Sequence, residues 1–353
     1  MNDKIIIKNL GPLKQVELYL KEVMVLTGPQ ASGKSTIARL IHFFKYVTSV
    51  SCLKTQPEDL LSIFHKFFGE HYLRQNPNAD IEYLSHCKIT LKNGMIRYDN
   101  LPQSKYKTTL IPAGRAVYSL ISESFFSLTS KAISIDPMIL NFGRHFELSR
   151  KKWGNTLSKE LGVLLKDILK GHFKYINGEN RIYFEKAQYI TLDRASSGQQ
   201  EVLPLILILM DVFYSEQLNF VTIEEPEAHL YPYSQYKLIE LICRVYHCHF
   251  DKNRFIITTH SPYILKAFNN FLFSYQVANV SEQAKIEVKT VIPEASWINP
   301  EQVAAYYVSY GTAESIIDDS TGLIADIDDA SEEIAGHFDA LLDIYRAFKH
   351  ENG

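Results

Sequence analysis

The sequence predicts an α/β fold in which a mixed sheet surrounds a phosphate-binding loop and carries a helical lobe. Three observations predict it. Residues 28–36, GPQASGKST, fit G-x-x-x-x-G-K-[ST] through Gly28, Gly33, Lys34 and Ser35. That motif lies between an apolar run at 23–26 and a helix-like pattern at 37–44, the strand–loop–helix setting it needs. Two later apolar runs, 220–223 and 254–258, each end in polar residues that can face the same loop.

The elements follow in order. Residues 4–9, 15–20 and 22–27 read as short strands, with Gly11-Pro12 turning between the first two. A helix runs from Ser35 to about residue 47, and another spans 57–68. Asn93-Gly94 inside 88–98 signals a hairpin. Residues 108–112 form a buried-type strand ending in IPAGR, residues 111–115. Residues 116–172 are mostly helical, broken at Asp136-Pro137 and Gly154, and strand-like spacing returns at 182–192. The apolar block 202–213 has helix length, with Pro204 kinking it or delaying its regular part. A strand at 220–223, a helix at 232–246 and a strand at 254–258 come next. Residues 271–277 and 285–292 read as a closing strand pair, and from Trp297 the pattern alternates loop and helix. The chain thus divides into 1–115 and 181–295 as two parts of one core, 116–180 as a helical insert, and 296–353 as an acidic helical tail for a partner contact.

The loop residues Gly28, Pro29, Gln30, Ala31, Ser32, Gly33, Lys34, Ser35 and Thr36 offer backbone N–H groups and a helix N-terminus to phosphates. Lys34 would reach the β- and γ-phosphates, and Ser35 would ligate Mg²⁺. A nucleoside triphosphate is the expected ligand. The strand at 220–223 delivers two carboxylates, Glu224 and Glu225, in FVTIEEPEAHL. Beside a phosphate loop, Glu224 would hold the hydrated Mg²⁺ and Glu225 would orient and activate water. His260, at the end of FIITTH, can sense a γ-phosphate through Nε2. In RASSGQQE, Ser196 and Ser197 can donate hydroxyls, Gly198 lets the backbone approach a phosphate, and a helix N-terminus follows. The same stretch also fits an ordinary helix start, with Ser197 to Gln200 reading as a capping box.

Composition bounds the remaining classes. A chain of 353 residues can build one large or two modest domains. No apolar run reaches a membrane span, and MNDKIIIKNL lacks a signal-peptide pattern. Four cysteines (Cys52, Cys87, Cys243, Cys248) in so long a chain point to a reduced, cytoplasmic protein. The net charge of −3 advertises no global nucleic-acid field. Basic residues nevertheless crowd 144–174: Arg144, Arg150, Lys151, Lys152, Lys159, Lys166, Lys170 and Lys174. They are solvated helix faces, or a contact surface for nucleic acid or an acidic partner.

The order phosphate loop, SSGQQ, EE and TTH resembles the ATP-binding-cassette (ABC) ATPases. The likeness is strongest to the SMC-like and OLD-family heads, on GPQASGKST, SSGQQ, IEEPEAHLYP and ITTHSPYIL, with IIIKNLGPLKQVEL similar to their opening strands. It covers roughly 4–44 and 190–268. The resemblance implies a P-loop NTPase with a mixed-sheet core and a helical signature lobe, using ATP and Mg²⁺. Residues 28–36 would be the Walker A loop, Ser196, Ser197, Gly198 and Gln199 a signature acting in trans, and Glu224 and Glu225 the Walker B pair. Residues 226–230 would begin the D-loop, and His260 would be the switch histidine. Two positions depart from the family pattern: Ser197 stands where glycine is commonest, and IPAGR occupies the Q-loop place without a glutamine. Whether Arg115 senses the nucleotide or is structural stays open.

The 116–180 insert is too short, and lacks heptads, for a DNA-tethering coiled coil. Asp326, Asp328 and Asp329 superficially suggest a metal-binding D-x-D, but the space after His260 hardly fits a TOPRIM nuclease. Cys243, His247, Cys248 and His249 are a helix end or a metal cluster of unusual spacing. The expectation is a slow ATPase that dimerises head to tail around ATP·Mg²⁺ and controls a separately encoded nuclease or toxin in bacterial anti-phage defence. The alternative is a DNA-repair ATPase that binds duplex through 144–174. A membrane partner fits worse.

Overall fold

The computed structural model describes residues 3–50, 57–99, 104–120, 137–154, 161–184, 188–249 and 253–325, with isolated positions 337, 340 and 341. The Asp326–Asp329 run, with the rest of the acidic tail after Ala325 apart from those isolated positions, and Cys52 and Lys159 lie outside them. The chain opens with β1 (Lys4–Leu10), β2 (Leu13–Tyr19) and β3 (Val23–Thr27), then α1 (Lys34–Val50), α2 (Pro57–Phe68) and α3 (Tyr72–Gln75). Next come β4 (Asp80–Leu84), β5 (Lys88–Lys92), β6 (Met95–Asp99) and β7 (Lys107–Ile111). The lobe holds α4 (Ala116–Leu120), α5 (Pro137–Trp153), α6 (Gly162–Leu169), β8 (His172–Ile176), β9 (Glu179–Tyr183) and β10 (Tyr189–Thr191). Then follow α7 (Ser197–Phe213), β11 (Asn219–Glu224), α8 (Pro232–His247), β12 (Arg254–Thr258), α9 (Pro262–Ala278), α10 (Glu282–Val291), β13 (Val303–Ser309) and β14 (Thr312–Ser315).

The central sheet runs β14-β13-β3-β12-β11-β7, parallel except for β14. Every residue of β3 and β11 is buried, as is β12 after Arg254. Parallel strands covered on both faces need such continuous apolar runs. Alternate side chains point to opposite faces. Val25, Ile223 and Ile257 pack into one core with α7, α8 and α9; Met24, Leu26 and Ile256 pack into a second with α1 and the antiparallel sheet β2-β1-β4-β5-β6. α1 is therefore clamped between two sheets, which fixes the loop at its N-terminus. Asn93 and Gly94 take φ of 52° and 71°, the tight hairpin geometry those residues favour.

The C-terminal part corrects the sequence reading. Residues 271–277 and 285–291 are not a strand pair but lie on α9 and α10, with Ile292 as the extended cap of α10. Ile264, Leu265, Phe268, Phe271 and Leu272 recur at helical spacing on one buried face, capped by Ser261, which accepts from Tyr263 N at 3.2 Å. The closing strands come later, in the stretch expected to be loop and helix: β13 pairs with β3 in register Val303↔Val23 to Tyr307↔Thr27. Residues 303–315 thus belong to the central sheet rather than to a helical tail. In the lobe, β8 and the start of β9 lie in the insert expected to be helical, while Ile182 and Tyr183 of β9 fall in the expected strand-like stretch; the two strands turn at Asn177-Gly178. Among the described residues no helix is long and apolar enough to cross a membrane.

Candidate functional site

The phosphate loop joins β3 to α1 at the C-terminal edge of the parallel strands, where ligands of open α/β sheets bind. Close packing dictates its glycines. A Cβ on Gly28 (φ +134°) would stand 2.2 Å from the Val308 carbonyl oxygen, and one on Gly33 (φ +105°) 2.5 Å from Leu13 Cδ2. Lys34 is buried beneath the loop, its Nζ donating to Gly28 O at 2.8 Å and Pro29 O at 2.7 Å. Burial pushes its ammonium down to about 8, against the opposing pull of Glu225 and Glu227. Ser32 Oγ is buried without a hydrogen-bond partner. A buried cation and an orphaned hydroxyl in one loop are what an anionic ligand would satisfy.

The carboxylates arrive on β11. Glu224, its last residue, is buried, and Glu225 follows with φ of 45°, a left-handed conformation costly for a non-glycine residue. Glu225 N donates to Thr258 O at 3.0 Å, tying it to β12. His260, two residues past β12, lies with Nε2 2.9 Å from Glu225 Oε1 and Nδ1 3.3 Å from Lys34 Nζ. Nδ1 is also 3.1 Å from Gly28 O. With Nε2 protonated the ring donates to Glu225, while Nδ1 accepts from Lys34 or, in the imidazolium, donates to Gly28 O. Glu227 sets the ring's position: its Oε1 accepts from His260 N at 2.7 Å and from Thr259 Oγ1 at 2.6 Å. A cavity of about 240 Å³ is walled by Pro12, Gln30 to Thr36, Glu225 and His260.

Glu224 has a partner that sequence reasoning missed. Arg39, on the first turns of α1, grips it as a fork, Nε to Oε1 at 2.6 Å and Nη2 to Oε2 at 2.9 Å. The signal was available: Arg39 stands four residues after Ser35, on the same helix face. Ser35 and Glu224 still fit Mg²⁺. Both are hard oxygen donors of the kind it takes, alongside phosphate oxygens and water. A carboxylate has about four acceptor sites, so the Arg39 fork leaves room for a metal-bound water.

Ser196 to Gln199 are not among the residues walling that cavity. They start α7, where Ser196 caps the helix: it accepts from Gln199 N, and the Gln199 side chain accepts from Ser196 N at 3.2 Å. The capping box is thus present but one residue earlier than expected, at Ser196 and Gln199 rather than Ser197 and Gln200. Ser196 and Ser197 are exposed, while Gly198 is buried against the turn after β11, a Cβ there lying 2.6 Å from His229 O.

Arg115, fully buried, answers the open Q-loop question with backbone contacts. Its Nη1 donates to Pro112 O and Glu224 O, both at 2.8 Å, its Nη2 to Glu225 O at 2.9 Å, and its Nε to Glu201 O at 3.0 Å. The Glu201 carboxylate in turn accepts from Arg115 N at 2.8 Å and Ala116 N at 3.0 Å. Burial pulls the guanidinium pKa down, and Glu201 is foremost among the carboxylates that keep it charged.

The other flagged clusters disperse. Cys243 is in the core, Cys248 Sγ donates to Val245 O at 3.0 Å, and His247 contacts Trp297 O. Among the described residues, no three His, Cys, Asp or Glu side chains gather to hold a metal. In the basic stretch, Arg150 is buried between the Phe146 and Tyr175 rings, and Lys152 Nζ donates to Asp211 at 3.0 Å. Lys151, Lys166, Lys170 and Lys174 stay exposed.

Fold and site define a P-loop ATPase of mixed α/β type. The family described as "AAA ATPase domain" matches residues 1–137 and 127–265, and the chain belongs to it. No curated protein matches the sequence. Among solved structures the chain is similar to an SMC head bound to the C-terminal winged-helix domain of ScpA, at 12% identity over 89% of this chain and 96% of that one, TM-score 0.48. It is also similar to the SMC head domain from Thermotoga maritima, at 12% identity over 90% and 98%, TM-score 0.43. A dimeric ABC transporter cassette follows at 13% identity over 88% and 98%, TM-score 0.36.

Proposed function

We propose that this chain is an ATP-hydrolysing molecular switch that dimerises around two ATP·Mg²⁺ and controls a separately encoded effector, a nuclease or toxin, in bacterial anti-phage defence. The observation that carries the ATPase reading is one line of contacts. Lys34, His260 and Glu225 stand in series at 3.3 Å and 2.9 Å, at the mouth of the phosphate loop. Lys34 would hold the terminal phosphates, His260 would sense the γ-phosphate, and Glu225 would take the proton of the attacking water. Ser35 and Glu224 would hold Mg²⁺, which offsets phosphate charge. Ser196, Ser197, Gly198 and Gln199 would close the site of a second copy, since they do not wall their own loop's cavity and the two serines are exposed.

The effector and defence roles rest on the family resemblance of the motifs alone. Direct duplex binding has less support, because Arg150 and Lys152 are committed within the lobe. The test has two parts. Purified chain should bind and slowly hydrolyse ATP with Mg²⁺, and a chain that binds no nucleotide would end the ATPase reading. The protein that co-purifies with untagged native material should be a nuclease or toxin whose activity changes when Glu225→Gln replaces the wild type; an effector indifferent to that change would remove the control role.

A further inference from the structure

The buried Arg115–Glu201 pair connects the two halves of the proposed machinery within one chain. Glu201 lies one turn into α7, whose first residues are Ser197 and Gly198. Its carboxylate holds the start of α4 through the N–H groups of Arg115 and Ala116. The Arg115 guanidinium then holds the carbonyls of Glu224 and Glu225. Glu225 is the residue with the costly left-handed backbone, so its geometry depends on being held from outside. Gly198 against His229 makes a second close contact between the same helix and the segment after β11. A movement of α7 therefore cannot leave the Glu225 peptide where it was. Charge-assisted bonds in a buried setting transmit such a displacement rather than absorb it.

We propose that Arg115 and Glu201 are positioning residues that couple the two ATP sites of the dimer. The proposal rests on the shared-site reading given above. When a partner's nucleotide engages Ser196 to Gln199, α7 is drawn toward it. Glu201 and Arg115 carry that shift to Glu224 and Glu225, which serve this chain's own nucleotide. Occupation of one site thus sets the carboxylates of the other, and hydrolysis becomes cooperative.

The test uses the full-length chain with Glu201→Gln and, separately, Arg115→Lys. Glutamine keeps the shape but puts an NH₂ donor where one of the two accepting oxygens stood, so one N–H group faces a donor, and lysine keeps the charge but loses the fork. Wild-type hydrolysis should rise sigmoidally with ATP, with a Hill coefficient above one and at most about two, the number of sites. Both variants should bind ATP within about twofold of wild type, while kcat falls about tenfold and the Hill coefficient drops to about one, the loss a coupling of typical size predicts. A merely structural role would lower the melting temperature without changing the Hill coefficient. Variants that keep wild-type cooperativity and kcat overturn the coupling, as does a hyperbolic wild type. If Glu201→Gln melts early, Arg115→Lys carries the same reading. A wild type that hydrolyses ATP without ever dimerising removes the shared-site reading instead.

Discussion

At the residue scale, the site is a set of groups held away from their preferred states. Lys34 is a buried cation, Glu225 is a non-glycine in left-handed backbone, and Glu224 is a buried carboxylate matched to Arg39. Each conformation has a cost that a bound nucleotide and metal would offset. Glu225→Gln keeps the shape and the His260 contact but removes the base. Steady-state hydrolysis should fall by about 10²–10⁴-fold with ATP still bound; unchanged turnover would take Glu225 out of the chemistry. Lys34→Ala should abolish ATP binding in a filter or calorimetric assay, and a variant with normal affinity would mean the loop serves another ligand. His42 gives a prediction about stability. It sits on α1 between the Phe67 and Phe220 rings, with Nδ1 3.0 Å from Thr222 Oγ1, and burial pushes its pKa down to about 3 from 6.5. The folded state keeps it neutral, so below pH 6.5 the unfolded chain binds a proton that the native one does not. Stability from this group is whole above pH 6.5 and declines as pH falls toward 3, by about 1.4 kcal/mol per unit, or roughly 2 kcal/mol by pH 5. Urea unfolding of His42→Gln at pH 7 and pH 5 should show a flatter dependence than wild type; equal slopes would mean His42 is not the titrating group.

At the element scale, α7 is the part that faces two ways. Its first turn is exposed at Ser196 and Ser197, and one residue later Gly198 is pressed on His229. Gly198→Ala should destabilise the fold by about 1–3 kcal/mol, the usual range for forced overpacking, and weaken ATP-driven association more than ATP binding. Thermal melting and sedimentation would check it, and an alanine variant that melts and associates like wild type would show that the contact yields freely. This scale also shows what the sequence could carry. β3, β11 and β12 were legible because they are continuous apolar runs that end in chemistry-bearing residues, and the Asn93-Gly94 hairpin because its turn residues are specific. α9 was not: its aromatic and β-branched residues at 271–277 imitate a strand unless the count starts at Ser261, where the helical spacing begins. β13, VAAYYVS, carries β-forming valines and tyrosines over seven residues, a strand signal that the loop-and-helix reading from Trp297 passed over; its pairing with β3 sets it in the central sheet. The Asn177-Gly178 turn, in the gap between the helical pattern ending at 172 and the strand-like spacing from 182, was a readable hairpin signal for β8 and β9 that went unused. Within the site, the loop, the carboxylates and His260 were readable as motifs. Of Arg39 the sequence carried only its place on the Ser35 face of α1, and of Glu201 nothing, since the partners of both are met across the fold.

At the scale of the whole molecule, one chain offers an incomplete enclosure. The cavity at the loop is bounded by Pro12, its own Walker residues, Glu225 and His260, while the serine-glycine corner of α7 does not wall it and its two serines are exposed. Two copies in head-to-tail arrangement would complete each other, and a mixture of crippled chains tests this most directly. Lys34→Ala removes the nucleotide-gripping half and leaves the α7 corner intact. Ser197→Arg blocks that corner and leaves the grip intact. Each should be inactive alone while Ser197→Arg still binds ATP. Mixed in equal amounts, they should regain measurable ATP hydrolysis, because the heterodimer contains one complete site. Hydrolysis that stays at background in the mixture, under conditions where wild type turns over, or full activity of Ser197→Arg alone, would contradict a site shared between two chains.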